Sequence, residues 1–413
     1  MTEPKIRFLK EDGNYFPKWE TTFIGEIVER QEHPVKVDKE VEYREIGIRS
    51  HGKGIFHKEP VTGKELGNKR VFDIVPDCLV LNIVFAWERA VAKTTIDEVG
   101  MIASHRFPMY KPKNGILDLD YIVRYLISDK GKKLLELASP GGAGRNRTLG
   151  QKAFMESELP LPCYEEQKKM AEFFDKIDDV ISNVEKELEA YTRLKAGMLQ
   201  KMFPRNGSRV PEVRFPGFTE DWEQRKLGNL CERITRKNKN GESDLPLTIA
   251  SQYGLIDQRD FFNKVVAAKD MSNYYLLKKG EFAYNKSYSN GYDYGSIKRL
   301  NAYEQGCLST LYICFGITSD DIESDYLECF FDTLKWYSDI TMICAEGARN
   351  HGLLNVDTKA FFDEVTILMP SSKEEQKKIS AYLNNLDNLI TLHQRELDIW
   401  NKMKTGYLQR MFI

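Results

Sequence analysis

The chain has 413 residues, 41% hydrophobic and 30% charged, with a formal net charge of −2. Those values fit a globular protein of two or more domains, and a near-neutral total excludes one that grips nucleic acid unaided through a large counterion-release effect. No run approaches the ~20 apolar residues that cross a bilayer, and the first residues lack the apolar centre of a secretion signal, so a cytoplasmic address is expected. Seven scattered cysteines and six histidines without ligand spacing argue for reduced, mostly buried thiols and against a disulfide framework; no metal site is expected.

In chain order, residues 1–160 read as a first globular unit and residues 161–204 as a long helix. Residues 205–370 form a second globular unit, and residues 371–413 a second long helix. The helices repeat one another without a gap at an offset of 209, from Glu165/Glu374 to Phe203/Phe412. They share the opening Glu-Glu-Gln-Lys-Lys, then Asp178/Asp387, Ile181/Ile390, Lys195/Lys404 and Gly197/Gly406, and the ending Leu-Gln-x-Met-Phe. The globular parts echo more faintly. Pro4-Lys-Ile-Arg7-Phe8 matches Pro211-Glu-Val-Arg214-Phe215, while Trp19, Gly25 and Glu29 match Trp222, Gly228 and Glu232 at an offset of 203. The chain is two copies of one unit.

Each helix would extend about 58 Å at ~1.5 Å per residue. In the first, Met170, Ile177, Val184, Tyr191 and Met198 recur every seven residues beside Phe174, Ile181, Leu188 and Met202, a row broken by Lys195. The second repeats the rows with Ile379, Leu386, His393, Trp400 and Tyr407 beside Leu383, Ile390, Leu397 and Met411. A sustained seven-residue period is a coiled-coil signature. The plainer alternative is two surface helices, each packed on its own unit. The length of the seam predicts instead antiparallel pairing of the two helices, with the units related by a pseudo-two-fold axis. His393, standing where the first copy has Val184, reads as a buried residue that fixes register. The expected class is α+β: two recognition domains of mixed strands and short helices joined by an antiparallel coiled coil.

The order of these parts resembles the specificity subunits of type I restriction-modification enzymes. The resemblance rests on a proline (Pro162, Pro370) that leads, after two or three intervening residues, into Glu-Glu-Gln-Lys-Lys and a long helix, twice over, and on Lys278-Lys-Gly-Glu-Phe-Ala-Tyr-Asn-Lys-Ser287 in the second unit. The first unit carries the related Leu79–Glu88 stretch but has Trp87-Glu88-Arg89 where many such chains have glycine after the glutamate. The resemblance implies two target-recognition domains, each reading half of a split, asymmetric site on double-stranded DNA, with the helices as spacers. It implies assembly with two methyltransferase subunits and with restriction-translocase subunits, in a system of phage defence. Methylation of adenine from S-adenosylmethionine, and cleavage dependent on ATP and Mg, would then belong to the partner chains.

The residues themselves agree that this chain carries no engine. There is no Asn/Asp-Pro-Pro-aromatic tetrapeptide and no GxxxxGK[ST], and Gly141–Gly144 lacks the strand-and-helix context of a cofactor loop. No catalytic residue and no cofactor of its own is expected. A self-contained methyltransferase-nuclease and a coiled-coil adaptor without DNA specificity are the competing readings. Bases are read by Arg, Lys, Asn, Gln, Ser and Thr presented from loops or strands, and phosphates by Arg, Lys and backbone amides. The candidate DNA-contacting residues of the first unit are Arg49, His51, Lys53, Ser104, His105, Arg106, Arg145, Asn146 and Arg147. Those of the second are Gln252, Tyr253, Asn285, Lys286, Ser287, Tyr288, Asn290, Tyr292, Arg349, Asn350 and His351. Arg233, Arg236, Lys237 and Lys239 read as a solvated face with at most a phosphate contact. The bases read and the gap between half-sites are not legible in the sequence.

Overall fold

The computed structural model of the chain describes residues 4–141, 147–205, 207–250, 254–262, 268, 270–288, 291–350 and 353–412. The chain divides into two compact units, residues 1–185 with 395–413, and residues 186–394. The division falls inside both long helices, Tyr164–Lys201 and Lys373–Met411, so each helix contributes to both units.

Each unit is built on the same antiparallel four-stranded sheet. In the first the order is Val28–Gln31, Met109–Pro112, Leu79–Leu81 and Val91–Lys93. In the second it is Cys231–Arg233, Ile313–Ile317, Phe282–Asn285 and Ser296–Arg299. Apolar runs such as Leu79-Val-Leu81 are buried on both faces, because the sheet packs between two cores. In the first unit one core gathers Ile46, Ile48, Val80, Ala92 and Met109, and the other gathers Trp19, Tyr121, Phe154 and Phe174. Corresponding helices cover the second face: Leu119–Ile127 in the first unit and Ser324–Asp332 in the second. Gly25 and Gly228 recur for a local reason. A Cβ on either would come within 3.1 Å of a helix carbonyl, Met155 O in one unit and Phe362 O in the other.

The repeated helix opening is a clamp. Glu166, fully buried, accepts from Arg7 Nε (3.1 Å) and Nη2 (2.8 Å) and from the Trp19 indole (3.0 Å). Gln167 donates to the Ile116 and Pro162 carbonyls and accepts from the Asp118 amide. In the second unit Glu375 accepts from Arg214 at 2.7 and 2.9 Å, and Gln376 bonds the Asp321 and Pro370 carbonyls and the Glu323 amide. Thus the arginine of each N-terminal echo meets the buried glutamate of each helix. The Trp222 indole N–H has no acceptor among the described residues, the one member of the clamp not repeated.

Within each unit the helix segments run antiparallel. In the first, Phe173 packs on Tyr407, Phe174 on Phe412, and Lys404 Nζ lies 2.5 Å from Asp178. In the second, Tyr191 stacks on His393 at 5.3 Å, and Lys195 Nζ lies 2.6 Å from Asp387 and 3.3 Å from Asp332. Lys195, which interrupts the apolar row, therefore pairs with the aspartate that the repeat preserves, as Lys404 does in the other unit. Met170, Phe174, Ile177, Ile181, Val184, Ile379, Leu383 and Leu386 are buried. Leu188, Tyr191, Met198, Ile390, His393, Leu397, Trp400 and Tyr407 are half-buried. The seam is therefore tightest where a recognition domain also packs on it. Phe412 closes the core of the first unit and Phe203 that of the second.

Candidate nucleic-acid interface

In the first unit a tight turn carries Arg49, His51 and Lys53. Its base is the Arg49 N–H to Gly54 carbonyl bond of 3.0 Å. His51 has φ +63°, a left-handed conformation uncommon outside glycine. The turn sits on the segment Phe85–Arg89: the His51 amide donates to Glu88 O (2.8 Å), the Gly52 amide to Arg89 O (2.9 Å), and Ser50 Oγ to the Glu88 carboxylate (2.9 Å). Arg89 has φ +62°, so the arginine that replaces the expected glycine adopts the conformation glycine favours. Arg49 rests its guanidinium on the Phe56 ring at 4.8 Å. His51 and Lys53 are exposed.

The same segment gathers two further candidates. The Ile83 amide donates to Arg106 O (3.0 Å), and Leu149, just after Arg147, donates to Ile83 O (2.8 Å). Arg147 lies over the Trp87 ring at 5.8 Å. The Ser104 hydroxyl accepts from the Arg106 amide, which shapes the turn and leaves His105 and Arg106 exposed. Residues 49–53, 104–106 and 147 therefore converge on residues 83–89. Arg145 and Asn146 lie outside the described residues.

In the second unit Asn285, Lys286, Ser287 and Tyr288 leave the sheet at the end of strand Phe282–Asn285. The Asn285 side chain accepts from the Ser287 amide at 3.0 Å. Leu354 donates to Lys286 O at 2.9 Å, and its hairpin places Leu354 opposite Arg349 and Leu353 opposite Asn350. That brings the backbones of two predicted segments together. Tyr288 is exposed and Tyr292 half-buried. Gln252, Tyr253, Asn290 and His351 lie outside the described residues.

Sequence reasoning passed over Tyr275 and did not bring Arg233 and Lys237 together with it. Arg233 Nη2 donates to the Tyr275 hydroxyl (3.3 Å), and Lys237 Nζ lies 3.9 Å from the Tyr275 ring centroid. Lys286 is drawn into this group: burial and the charge of Arg233 lower its pKa. The residues are far apart in sequence, and the strand register that joins them leaves no local signature. Arg236, by contrast, is tied to Glu281 at 2.6 Å. Burial pushes the Cys78 thiol to about 11 and Cys231 and Cys314 to about 12, which disfavours the nucleophilic thiolate at these three. Among the described residues no helix is long and apolar enough to cross a membrane.

Comparison with known proteins identifies this architecture. The chain is 26% identical over 248 residues to the type I restriction enzyme MjaVIII specificity subunit of Methanocaldococcus jannaschii, a match covering 55% of this chain and 54% of that one. It is 25% identical over 317 residues to the putative type I restriction enzyme MjaX specificity subunit of the same organism, covering 72% of this chain and 68% of that one. The chain thus spans about half the length of the first relative and about two thirds of the second. The crystal structure of a type I restriction-modification system S subunit from M. genitalium shares the fold, with a TM-score of 0.60, 16% identity, and coverage of 100% of this chain and 99% of that chain. The family described as type I restriction modification DNA specificity domain matches residues 18–191 and again residues 219–399. The chain belongs to that family and carries its domain twice.

Proposed function

We propose that this chain is the DNA-recognition subunit of a type I restriction-modification complex, with each unit reading one half of a bipartite, asymmetric site. The observation that carries this reading is a duplicated scaffold with unlike reading surfaces. The sheet order and the helix clamp recur, whereas one unit presents residues 49–53 with Trp87 and Arg147 and the other presents Asn285–Tyr288 with the paired strands Cys344–Asn350 and Leu353–Val356. A copied skeleton with unlike polar loops suits two half-sites of different sequence. The chain works by binding. Methyl transfer from S-adenosylmethionine and ATP- and Mg-dependent cleavage are assigned to two methyltransferase subunits and to restriction subunits recruited to it.

The test is genome-wide mapping of modified adenines in cells that carry this chain with its methyltransferase. The expected result is one motif of two different blocks separated by a fixed gap. Exchanging residues 205–370 for those of another specificity subunit should replace one block and keep the other. Methylation without a sequence motif, or binding by the complex without preference among duplexes, would favour a coiled-coil adaptor and overturn the proposal.

A further inference from the structure

Building on that reading, we propose that Arg233 and Lys237, both held on Tyr275, form with Lys286 a seat for a DNA backbone phosphate that the first unit lacks. Arg233, exposed at the end of strand Cys231–Arg233, holds the Tyr275 hydroxyl at 3.3 Å. Lys237 caps the Tyr275 ring and donates to Asn273 O at 2.9 Å. Lys286 follows strand Phe282–Asn285, which lies in the same sheet as Cys231–Arg233 with only Ile313–Ile317 between them, and burial and the Arg233 charge disfavour its protonated form. Among the described residues none of the three cations forms an ion pair within 4.0 Å, and the neighbouring Glu281 is already taken by Arg236 (2.6 Å) and the Lys278 amide (2.6 Å). Like charges held together without a counter-ion repel one another, and an incoming anion relieves that repulsion at every member. A phosphate matches the group's donors, a guanidinium and two ammonium groups. The seat adjoins Asn285, Ser287 and Tyr288, so a phosphate held there would set the register of the bases they face.

The first unit supplies the internal control. Its backbone is equivalent here: the bridge Pro34–Phe72 corresponds to Lys237–Tyr275, and Leu149 donates to Ile83 O as Leu354 does to Lys286 O. Yet two of the three cations are gone and the third is paired. Pro34, Phe72 and Ile83 stand where the second unit has Lys237, Tyr275 and Lys286, and Arg30, in the place of Arg233, pairs with Glu32 at 2.5 Å.

The experiment measures binding of the complex with its methyltransferase subunits to a duplex carrying its mapped site, against salt concentration. R233Q/K286I, which installs the first unit's isoleucine, should lower the slope of log affinity against log salt by about 0.9, one phosphate's worth of released counterions. Affinity at physiological salt should fall by roughly tenfold, the size of one charge-assisted contact. R30Q in the first unit should leave both unchanged, and unchanged thermal unfolding of R233Q/K286I shows that the fold survives. If that variant unfolds early, the milder K237Q and R233Q are read by the same slope. A wild-type slope in folded variants overturns the phosphate seat while leaving the recognition role intact. A wild-type complex that does not distinguish its site from a scrambled duplex overturns the recognition role itself.

Discussion

Replacing Glu166 with glutamine tests whether the helix opening is a structural clamp. The glutamate side chain has no exposure and that of Arg7 only 7%, so E166Q takes a buried carboxylate away from a buried guanidinium. Arg7 Nη2 would keep the Phe16 and Pro17 carbonyls at 3.1 and 2.6 Å but lose the charged acceptor, and the new amide would turn a donor toward donors. Breaking a buried pair by removing one partner costs about 3–5 kcal/mol. For a unit of this size each kcal/mol moves the melting temperature by about 2–4 °C, so the transition should fall by about 6–20 °C. Two units need not melt together, so the assay is calorimetry with hydrogen exchange to assign each transition. E166Q should lower the transition of residues 1–185 with 395–413, and E375Q that of residues 186–394. The apolar double variant R7M/E166L should recover much of the loss, since it removes both halves of the buried pair. A loss below about 1 kcal/mol would refute the clamp, as would an E166Q effect that appears in the other unit.

Phe412 stands 5.8 Å from both Tyr121 and Tyr125 and 6.0 Å from Phe174, so F412A should cost about 3–5 kcal/mol and speed hydrogen exchange in the helix Leu119–Ile127, far away in sequence. Burial would raise the pKa of Asp332, but Lys298 at 2.6 Å and Lys195 at 3.3 Å prevail and hold it below its usual 3.8. Because the folded pKa is the lower one, the stabilisation is complete above about pH 4 and is lost as pH falls through the folded value. D332N should therefore flatten the acid limb of the second unit's stability curve, and at neutral pH it should cost about 3 kcal/mol or more, measured by urea unfolding across pH. Removing one heptad from each long helix shortens each by about 10 Å, roughly three base pairs of DNA length. Adenine mapping should then show both blocks retained and the gap changed; an unaltered gap would mean that the helices do not set it.

The duplication, the heptad seam and the two-unit plan were all legible because they rest on periodicity and repetition. The physical role of the most conspicuous motif was not. Glu-Glu-Gln-Lys-Lys has the composition of a solvated first turn, and nothing local says that Glu166 and Gln167 are buried while Glu165 is exposed. That follows only once Arg7, distant in sequence, arrives to neutralise one and the Ile116 carbonyl to satisfy the other. Lys195 misled in the opposite sense: as a break in an apolar row it looks like a fault in the seam, yet it pairs with Asp387 across the helices.

The candidate contact segments divide along the same physical line. That residues 49–53, 104–106 and 285–288 would be polar connecting segments was legible because such segments declare themselves through glycine and polar composition. The cation group around Tyr275 was not, since Arg233, Lys237 and Lys286 come from two separate stretches and meet only through strand register. The comparison between units makes that group informative. Where the scaffold needs a residue, both copies keep it, as with the clamp arginine, the buried glutamate, and the Asp178/Asp387 and Lys195/Lys404 pairs. Where one copy has arginine and two lysines and the other has a paired arginine, a proline and an isoleucine on an equivalent backbone, the shared scaffold is not what requires the charge. What remains to require it is whatever lies outside the chain at that face, and the charge points to an anion.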